Sequence, residues 1–228
     1  MNYELNLEQI DVDGAIGEAT DAVSGDTRMA FLRKAGIGAG AMVSGGAILG
    51  ALAPAAFASG RPPAKFGKGD IGILNYALTL EYLEAAFYNG ATAANMSLSA
   101  QTAAFLKVVT KDENAHVAYL KKALGSKAVA KPKFDFKGMN TDPAKFMATA
   151  FVLENTGVHA YSGQALNITS PKVVAAALSI VTIEARHASV IGLINNPSGG
   201  SIAPNGPFDT PYTAAKVLLK VKGTGFIV

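Results

Sequence analysis

Hydrophobic residues recur at spacings of three and four along four stretches of the chain, and this period predicts amphipathic helices that each bury one face. The first predicted helix covers about residues 70–90, and the second ends near Leu124. The third covers about residues 143–166 and the fourth about 171–194. Such spacing is typical of inward-facing positions in a helical bundle. No region alternates hydrophobic and polar residues as a sheet would, so we expect an all-α fold.

Capping residues indicate where the first two helices begin and end. Asp70 is predicted to cap the first helix, and Gly90 is predicted to open the turn that follows it. Ser97 or Ser99 is expected to cap the second helix, with Gly125 at its C-terminal end.

The later helices begin with a capping residue followed by proline. Asp142-Pro143 and Ser170-Pro171 have this form, and Thr210-Pro211 is predicted to start a short C-terminal helix. Residues 125–142 are too long for a tight turn between helices. We therefore expect them to cross along the bundle, so that the third helix runs parallel to the second. The predicted fold is a four-helix bundle with a long crossover and a short C-terminal helix.

The amino-acid composition excludes several kinds of functional site. The chain has 228 residues, half of them hydrophobic, which suits one globular domain with an appendage. It contains no cysteine, which excludes disulfides, thiolate nucleophiles and Cys-ligated zinc or iron–sulfur sites. Residues 1–58 carry a net charge of −4 and the remainder +7. The lysines of the basic part are scattered and not interleaved with aromatics, so we expect no nucleic-acid partner.

The N-terminal segment has the three parts of an export signal. A basic flank at residues 27–34 precedes an uncharged run over residues 35–60, which includes a small-x-small site ending at Ala58. The flank resembles a twin-arginine signal, except that Met29 stands where the second arginine belongs. We therefore expect an exported protein in the periplasm, cell envelope or medium.

Other interpretations of this segment are an uncleaved membrane anchor formed by residues 35–58, or a helix that is buried or faces a partner in an unprocessed protein. In the anchored case the protein would be attached to a membrane. The predicted organisation is a leader and export signal at 1–58, a linker at 59–69, the bundle at 70–195, and a C-terminal loop and short helix at 196–228.

Each of the four predicted bundle helices carries a glutamate in the middle of its apolar face. An ionised carboxylate is rarely buried without a partner, because desolvation costs several kcal/mol per ion. Four carboxylates with neutral imidazoles carry a charge of −4, which two divalent cations would balance. Carboxylate and imidazole ligands suit iron, manganese or zinc. The four residues are Glu81, Glu113, Glu154 and Glu184.

Two of these glutamates are followed three residues later by a histidine, in Glu113–His116 and Glu184–His187. Residues three apart share a helix face, so both side chains can reach one ion. Residues 59–228 contain five Glu and three His, so roughly 0.1 such pair is expected by chance. Together with one Glu from each other helix, the two pairs form the pattern of a dimetal-carboxylate bundle. The competing interpretation is a metal-free core of hydrogen-bonded Glu–His pairs.

An internal repeat divides the bundle into two similar hairpins. Glu81 is followed seven residues later by Tyr88, and Glu154 is followed seven residues later by Tyr161. This predicts a pseudo-twofold axis through the metal pair. The repeat assigns the bridging role to Glu113 and Glu184, terminal ligation to Glu81 and Glu154, and one ion each to His116 and His187.

Some nearby residues lie outside this scheme. Glu84 corresponds to Gly157 in the other half, and is predicted to be a fifth carboxylate, a proton relay or a surface residue. His159 is predicted to be a hydrogen-bonded histidine, with ligation as the alternative. Tyr88 and Tyr161 either hydrogen-bond the ligands or fill space. No catalytic residue separate from the metal ligands is expected.

Four strings within residues 68–195 resemble the ferritin-like domain family, which includes plant desiccation-related proteins and many exported bacterial proteins. The strings are Leu74–Tyr88, Asp112–His116, Leu153–Tyr161 and Glu184–His187. The first also aligns with the opening helix of bacterioferritins, which again makes Glu81 a ligand. The resemblance implies a ferritin-like four-helix bundle with a dimetal centre.

Activity is less constrained, because the superfamily spans iron storage, dioxygen or peroxide reduction, hydroxylation and manganese catalase chemistry. We expect an exported protein with two metal ions, iron in first place and manganese or zinc as alternatives. It would oxidise iron or handle peroxide or dioxygen in stress protection, as a ferroxidase, a peroxidase-like enzyme or a manganese-type catalase. The alternative is a non-enzymatic stress or envelope protein whose metal site is structural or vestigial. A homo-oligomer is an open expectation.

Overall fold

The computed structural model describes residues 60–199 and 202–228, which form an all-α domain and confirm the expected fold class. The predicted leader and export signal at 1–58 lie outside the described residues. Within the described part, the extended pairing is one isolated antiparallel bridge between Phe134 and Ile227. The helices are α1 (Gly69–Ala93), α2 (Ala100–Leu124), α3 (Pro143–Gln164), α4 (Pro171–Asn195) and α5 (Ala214–Thr224).

Two helical hairpins, α1–α2 and α3–α4, face each other across a shared core. Side-chain pairs between α1 and α3 run in opposite order, since Tyr88 meets Glu154 whereas Glu81 meets Tyr161. The helices α1 and α3 are therefore antiparallel. Because α1 and α2 also form an antiparallel hairpin, α3 runs parallel to α2, as the length of the crossover predicted.

Aromatic packing closes one end of the bundle. Phe87 of α1 stacks on Phe146 of α3, with ring centroids 5.7 Å apart. Phe136 of the crossover lies 5.3 Å from Phe87 on one side and 5.3 Å from Phe226 of the C-terminus on the other. Aromatic pairs at these separations contribute about 0.5–1.5 kcal/mol beyond simple burial. The crossover and the C-terminus are thus fixed to the bundle by one aromatic cluster.

Two predicted helix starts are confirmed by their caps. The Ser99 side chain accepts a hydrogen bond from the backbone N–H of Thr102, and Asp142 accepts one from the N–H of Lys145. The prediction for Asp70 was wrong, because α1 begins at Gly69 and its N-cap is Lys68.

Asp70 instead ties α1 to the loop that precedes α4. Its carboxylate accepts hydrogen bonds from the backbone N–H groups of Thr169 and Ser170, at 2.9 and 2.8 Å, and from the Thr169 hydroxyl. These partners lie about a hundred residues away in sequence, so local capping rules could not indicate them. The two hairpins are therefore joined at this end by an acidic side chain.

Two further boundary predictions were wrong, again because of long-range contacts. Helix α1 continues through Gly90 to Ala93, and a Cβ at position 90 would lie 2.2 Å from the Asn140 side chain of the crossover. Gly90 therefore allows the crossover to pack closely against α1 and does not form a turn.

The start of α5 was also misplaced. The helix starts at Ala214, with the Thr213 side chain as its cap, because the backbone N–H of Tyr212 donates a hydrogen bond to the His159 carbonyl and is not available to a helix start at Pro211.

Helix α4 is long and apolar enough to cross a membrane, with a mean hydropathy of 1.4 over 18 residues. Length and composition alone do not decide this, since core helices meet the same criterion. Here α4 packs against α3 and α2 and carries Glu184 and His187 into the interior. It therefore serves as a core helix of the bundle.

The contact between α3 and the C-terminal segment gives a stability prediction. A Cβ at Gly163 would lie 1.8 Å from the Tyr212 carbonyl oxygen, so Gly163→Ala is expected to cost about 1–3 kcal/mol as the segment is displaced. At Gly223 in α5, no atom of the described residues lies within 4 Å of such a Cβ, and Gly223→Ala is expected to stabilise by about 0.5–1 kcal/mol. Chemical denaturation measures both changes. Equal effects of the two substitutions would contradict the proposed contact.

Candidate metal centre

The bundle interior brings together all six residues that the repeat selected as ligands. Each of the four helices contributes a glutamate that is 0% exposed, and α2 and α4 also contribute a histidine each. Their ligand atoms form two groups, and within each group these atoms lie within 4.8 Å of one another. The first group is Glu81, Glu113, His116 and Glu184, and the second is Glu113, Glu154, Glu184 and His187.

Glu113 and Glu184 belong to both groups, as bridging carboxylates would. Glu113 Oε2 lies 3.3 Å from the Nδ1 atom of His116, while its Oε1 lies 3.2 Å from the Nδ1 atom of His187. The two oxygens of one carboxylate thus face two different histidines. Glu184 Oε1 lies 3.3 Å from His116 Nδ1. This arrangement provides two adjacent positions for cations that share carboxylates.

Glu81 belongs only to the first group and Glu154 only to the second, and each of these carboxylates is held by a tyrosine. The Tyr161 hydroxyl of α3 donates to Glu81 Oε1 at 2.5 Å, and the other oxygen of Glu81 lies 3.2 Å from His116 Nδ1. Tyr88 of α1 donates in the same way to Glu154 Oε1. Each tyrosine therefore binds the carboxylate of the opposite hairpin, as the pseudo-twofold axis requires.

Several buried ligand atoms have no hydrogen-bond partner among the described residues. An unsatisfied buried polar atom costs about 1–3 kcal/mol, and more when it is charged. Carboxylate oxygens cannot donate to one another, so a cation is the group that would satisfy them together. The residue types present fit such a cation. The unpartnered atoms at the centre are Glu81 Oε2, Glu113 Oε1, Glu154 Oε2, both oxygens of Glu184, and His187 Nδ1.

The same crowding shifts the protonation of the ligands when no cation is present. Burial, with repulsion from Glu81, raises the pKa of Glu113 to about 7. Burial and neighbouring carboxylates hold the pKa of Glu184 well above its ordinary value. Burial alone would lower the pKa of His187, but the carboxylates of Glu113 and Glu154, each 3.2 Å from its Nδ1 atom, raise that pKa to about 11. Protons thus occupy the centre in the metal-free state, and metal binding would displace them.

The family comparison agrees with this geometry. The Ferritin-like domain matches residues 69–196, which is more than half of the chain and contains all six clustered residues. The chain belongs to the ferritin-like domain family. Comparison with curated proteins and with solved structures gave no match.

One contact in the ferritin-like domain was missed at the level of sequence. Asp112 Oδ2 lies 3.3 Å from the Nε2 atom of His187, so an α2 carboxylate faces the outer ring nitrogen of an α4 histidine. Such pairs fix the ring orientation and the tautomer of a metal-binding histidine. The available signal was the acidic residue directly before Glu113, together with the expectation that α2 and α4 are neighbours. The equivalent position in the repeat is the apolar Ile183.

His159 does not join the clustered ligands in the described part of the domain. Its ring stacks on Tyr212 of the C-terminal segment, with centroids 4.2 Å apart, and its backbone carbonyl accepts a hydrogen bond from the Tyr212 N–H. These contacts attach the C-terminal segment to α3. The ligand alternative for His159 therefore finds no geometric support.

The metal-free ferritin-like domain is expected to lose stability as the pH rises from about 5 to 8. Glu113 titrates near pH 7 in the folded chain, compared with an ordinary pKa of 4.5, so the folded chain holds a proton that the unfolded chain releases. The stabilisation from that proton is present at acid pH and is lost as the pH rises through 7. Urea denaturation of chelator-treated protein across this range measures the effect.

The control is Glu113→Gln, which cannot ionise at this position and should reduce the dependence, while Glu184 and His187 keep part of it. Excess Zn²⁺ should reverse its sign, because metal binding requires deprotonated ligands. Stability of the chelated wild type that rises towards pH 8 would contradict the proposed burial of protons at the centre.

Proposed function

We propose that this ferritin-like protein binds two divalent metal ions in the bundle interior. Glu81 and His116 would hold one ion, Glu154 and His187 would hold the other, and the bridging ligands would be Glu113 and Glu184. The observation that carries the proposal is the position of the Glu113 carboxylate, whose two oxygens face His116 and His187 at 3.3 and 3.2 Å. In a core of separate Glu–His pairs, each histidine would be expected to face the glutamate of its own helix, whereas His187 of α4 faces Glu113 of α2.

The charge of the site supports the same stoichiometry. Four ionised glutamates with neutral histidines give −4, which two divalent cations balance. Oxygen and imidazole ligands without thiolates suit iron, manganese or zinc, and iron is our first assignment. Iron can change its oxidation state at such a site, whereas zinc cannot.

Bound iron or manganese would supply redox chemistry with dioxygen or peroxide, and we propose iron oxidation or peroxide handling in stress protection as the function. The protein contributes the positions of the ligands. Tyr88 and Tyr161 hold the terminal carboxylates by donating hydrogen bonds, and Asp112 orients His187. The surrounding core limits the access of water, which strengthens electrostatic interactions within the site.

A second candidate is a non-enzymatic stress or envelope protein with a structural or vestigial metal site. It is favoured by the complete burial of the four glutamates and by the tyrosine bonds that hold two of them. Export is part of the proposal and depends on the predicted signal in residues 1–58, with membrane attachment only if residues 35–58 are retained. Assembly into a homo-oligomer is a further proposal that light scattering would test.

Metal content tests the binding proposal directly. The natively purified wild type is expected to contain two ions per chain by elemental analysis. Removing them with a chelator should lower the melting temperature, since a ligand at 100 times its Kd stabilises by about 2.7 kcal/mol. Glu113→Gln should retain the fold but lose at least one ion. Asp70→Asn, which removes a carboxylate from the loop contact of α1, is the matched control and should keep both ions. A folded wild type that takes up no metal would refute the site.

Activity distinguishes the two candidate functions. The iron- or manganese-loaded wild type is expected to oxidise Fe²⁺ or to consume hydrogen peroxide, and Glu113→Gln to lose that activity by at least about tenfold, because the bridging carboxylate is absent. Stopped-flow absorbance and an oxygen electrode provide the measurements. A wild type that holds two ions but turns over neither substrate would support the structural alternative.

A further inference from the structure

Glu84 is a fifth buried carboxylate of the bundle, and its oxygens lie outside both groups of clustered ligand atoms. It lies one helical turn after Glu81 on α1 and is 3% exposed. A surface position, one of the interpretations that the sequence left open, is therefore excluded. A buried carboxylate needs a proton, a donor or a cation to compensate its desolvation.

The space for this carboxylate is created by a glycine on the opposite hairpin. Gly157 of α3 occupies the equivalent position in the repeat, and a Cβ there would lie 2.5 Å from Glu184 Oε2 and 3.4 Å from Glu84 Oε1. The two carboxylates thus approach the same point beside the α3 backbone. Any side chain at position 157 would separate them, which gives the glycine a reason to be in a helix interior despite a cost of about 1 kcal/mol.

The orientation of Glu184 shows which ion Glu84 would reach. Glu184 Oε1 is directed towards His116, at 3.3 Å. Its other oxygen, Oε2, faces Gly157, which is one helical turn after Glu154 on α3. Glu84 Oε1 also lies near Gly157, so Glu84 is on the side of Glu184 Oε2 and not on the side that faces His116.

We propose that Glu84 is a fifth carboxylate ligand, specific for the ion held by Glu154 and His187, and that the two metal positions are therefore inequivalent. The proposal rests on the dimetal site proposed above. Asp112 adds to the inequivalence, because it contacts His187 whereas the corresponding position in the other half is Ile183. The ion at Glu154 and His187 would thus have one more carboxylate ligand and a more basic histidine than the ion at Glu81 and His116.

A small cavity beside Glu84 gives this ligand room to move. Its volume is about 30 Å³, and its lining includes Thr156 and Gly157 of α3 and Lys220 and Thr224 of α5. This is enough for about one water molecule. A carboxylate at its edge can exchange between an ion and a water molecule, which the tyrosine-bound Glu81 and Glu154 are less free to do.

Cobalt binding to the full-length chain tests the proposal without relying on turnover. Anaerobic titration with Co²⁺ gives the affinity of each ion by calorimetry and its coordination by visible d–d absorption. The wild type is expected to bind two Co²⁺ ions, and Glu84→Gln to weaken one of them by at least about tenfold while the other changes by less than about threefold. Glu84→Asp keeps the charge but shortens the side chain, and should weaken the same ion. Asp70→Asn, on the same helix, should leave both ions unchanged.

Stability of the metal-free protein separates ligation from a structural role. Glu84→Gln replaces a buried carboxyl group with a neutral amide of the same size, so the melting temperature of the metal-free variant should stay unchanged or rise while its affinity for Co²⁺ falls. A variant that fails to fold would show that Glu84 supports the fold instead, and would overturn the proposal. Wild-type affinity for both ions in Glu84→Gln, or equal weakening of both, would also overturn it. A wild type that binds no Co²⁺ would overturn the dimetal site itself, and the role of Glu84 with it.

Discussion

The burial of carboxylates in an apolar helical core is the constraint on which the rest of this structure depends. Five glutamates lie in the interior, and four of them have no exposed surface. Desolvation of each ionised group costs several kcal/mol, which is a large fraction of the net free energy of unfolding of a typical domain. Two histidines, two tyrosine hydroxyls and, in our proposal, two cations interact with the carboxylates and offset this desolvation cost. Without cations, protons must take their place, as the raised pKa values of Glu113 and Glu184 indicate.

The pseudo-twofold repeat explains how one chain brings these groups together, and its exceptions show where the two halves have separate roles. The tyrosine–glutamate bonds obey the symmetry, since each hairpin supports the terminal carboxylate of the other. Glu84 and Gly157 break it, and so does Asp112. Asp112 contacts His187, and in our proposal Glu84 and Gly157 act on the same side of the site. A symmetric scaffold with asymmetry confined to one side can hold two ions with different affinities in a single core.

The sequence predicted the parts of the fold that depend on local periodicity. The helices, the Ser99 and Asp142 caps and the spacing of Glu-x-x-His follow from residues that are close in sequence. The errors share another cause. Asp70 and Gly90 have their functions in contacts with residues far away in the chain, and α5 starts late because Tyr212 is docked on His159. The contact between Asp112 and His187 was missed because it needs the relative rotation of α2 and α4, which periodicity alone does not give.

The hydrogen bonds of the carboxylates also indicate where the site can change shape. Glu81 and Glu154 are each held by a tyrosine, so they act as fixed supports. Among residues 60–199 and 202–228, both oxygens of Glu184 lack a hydrogen-bond partner, whereas Glu81, Glu113 and Glu154 lack a partner for one oxygen each. Glu84 borders the cavity, and the glycine opposite leaves space beside it. Movement of ligands would therefore be concentrated in Glu184 and in Glu84. In the proposed redox function, ligands that are free to move beside a water-sized cavity could adjust as the charge of the ions changes.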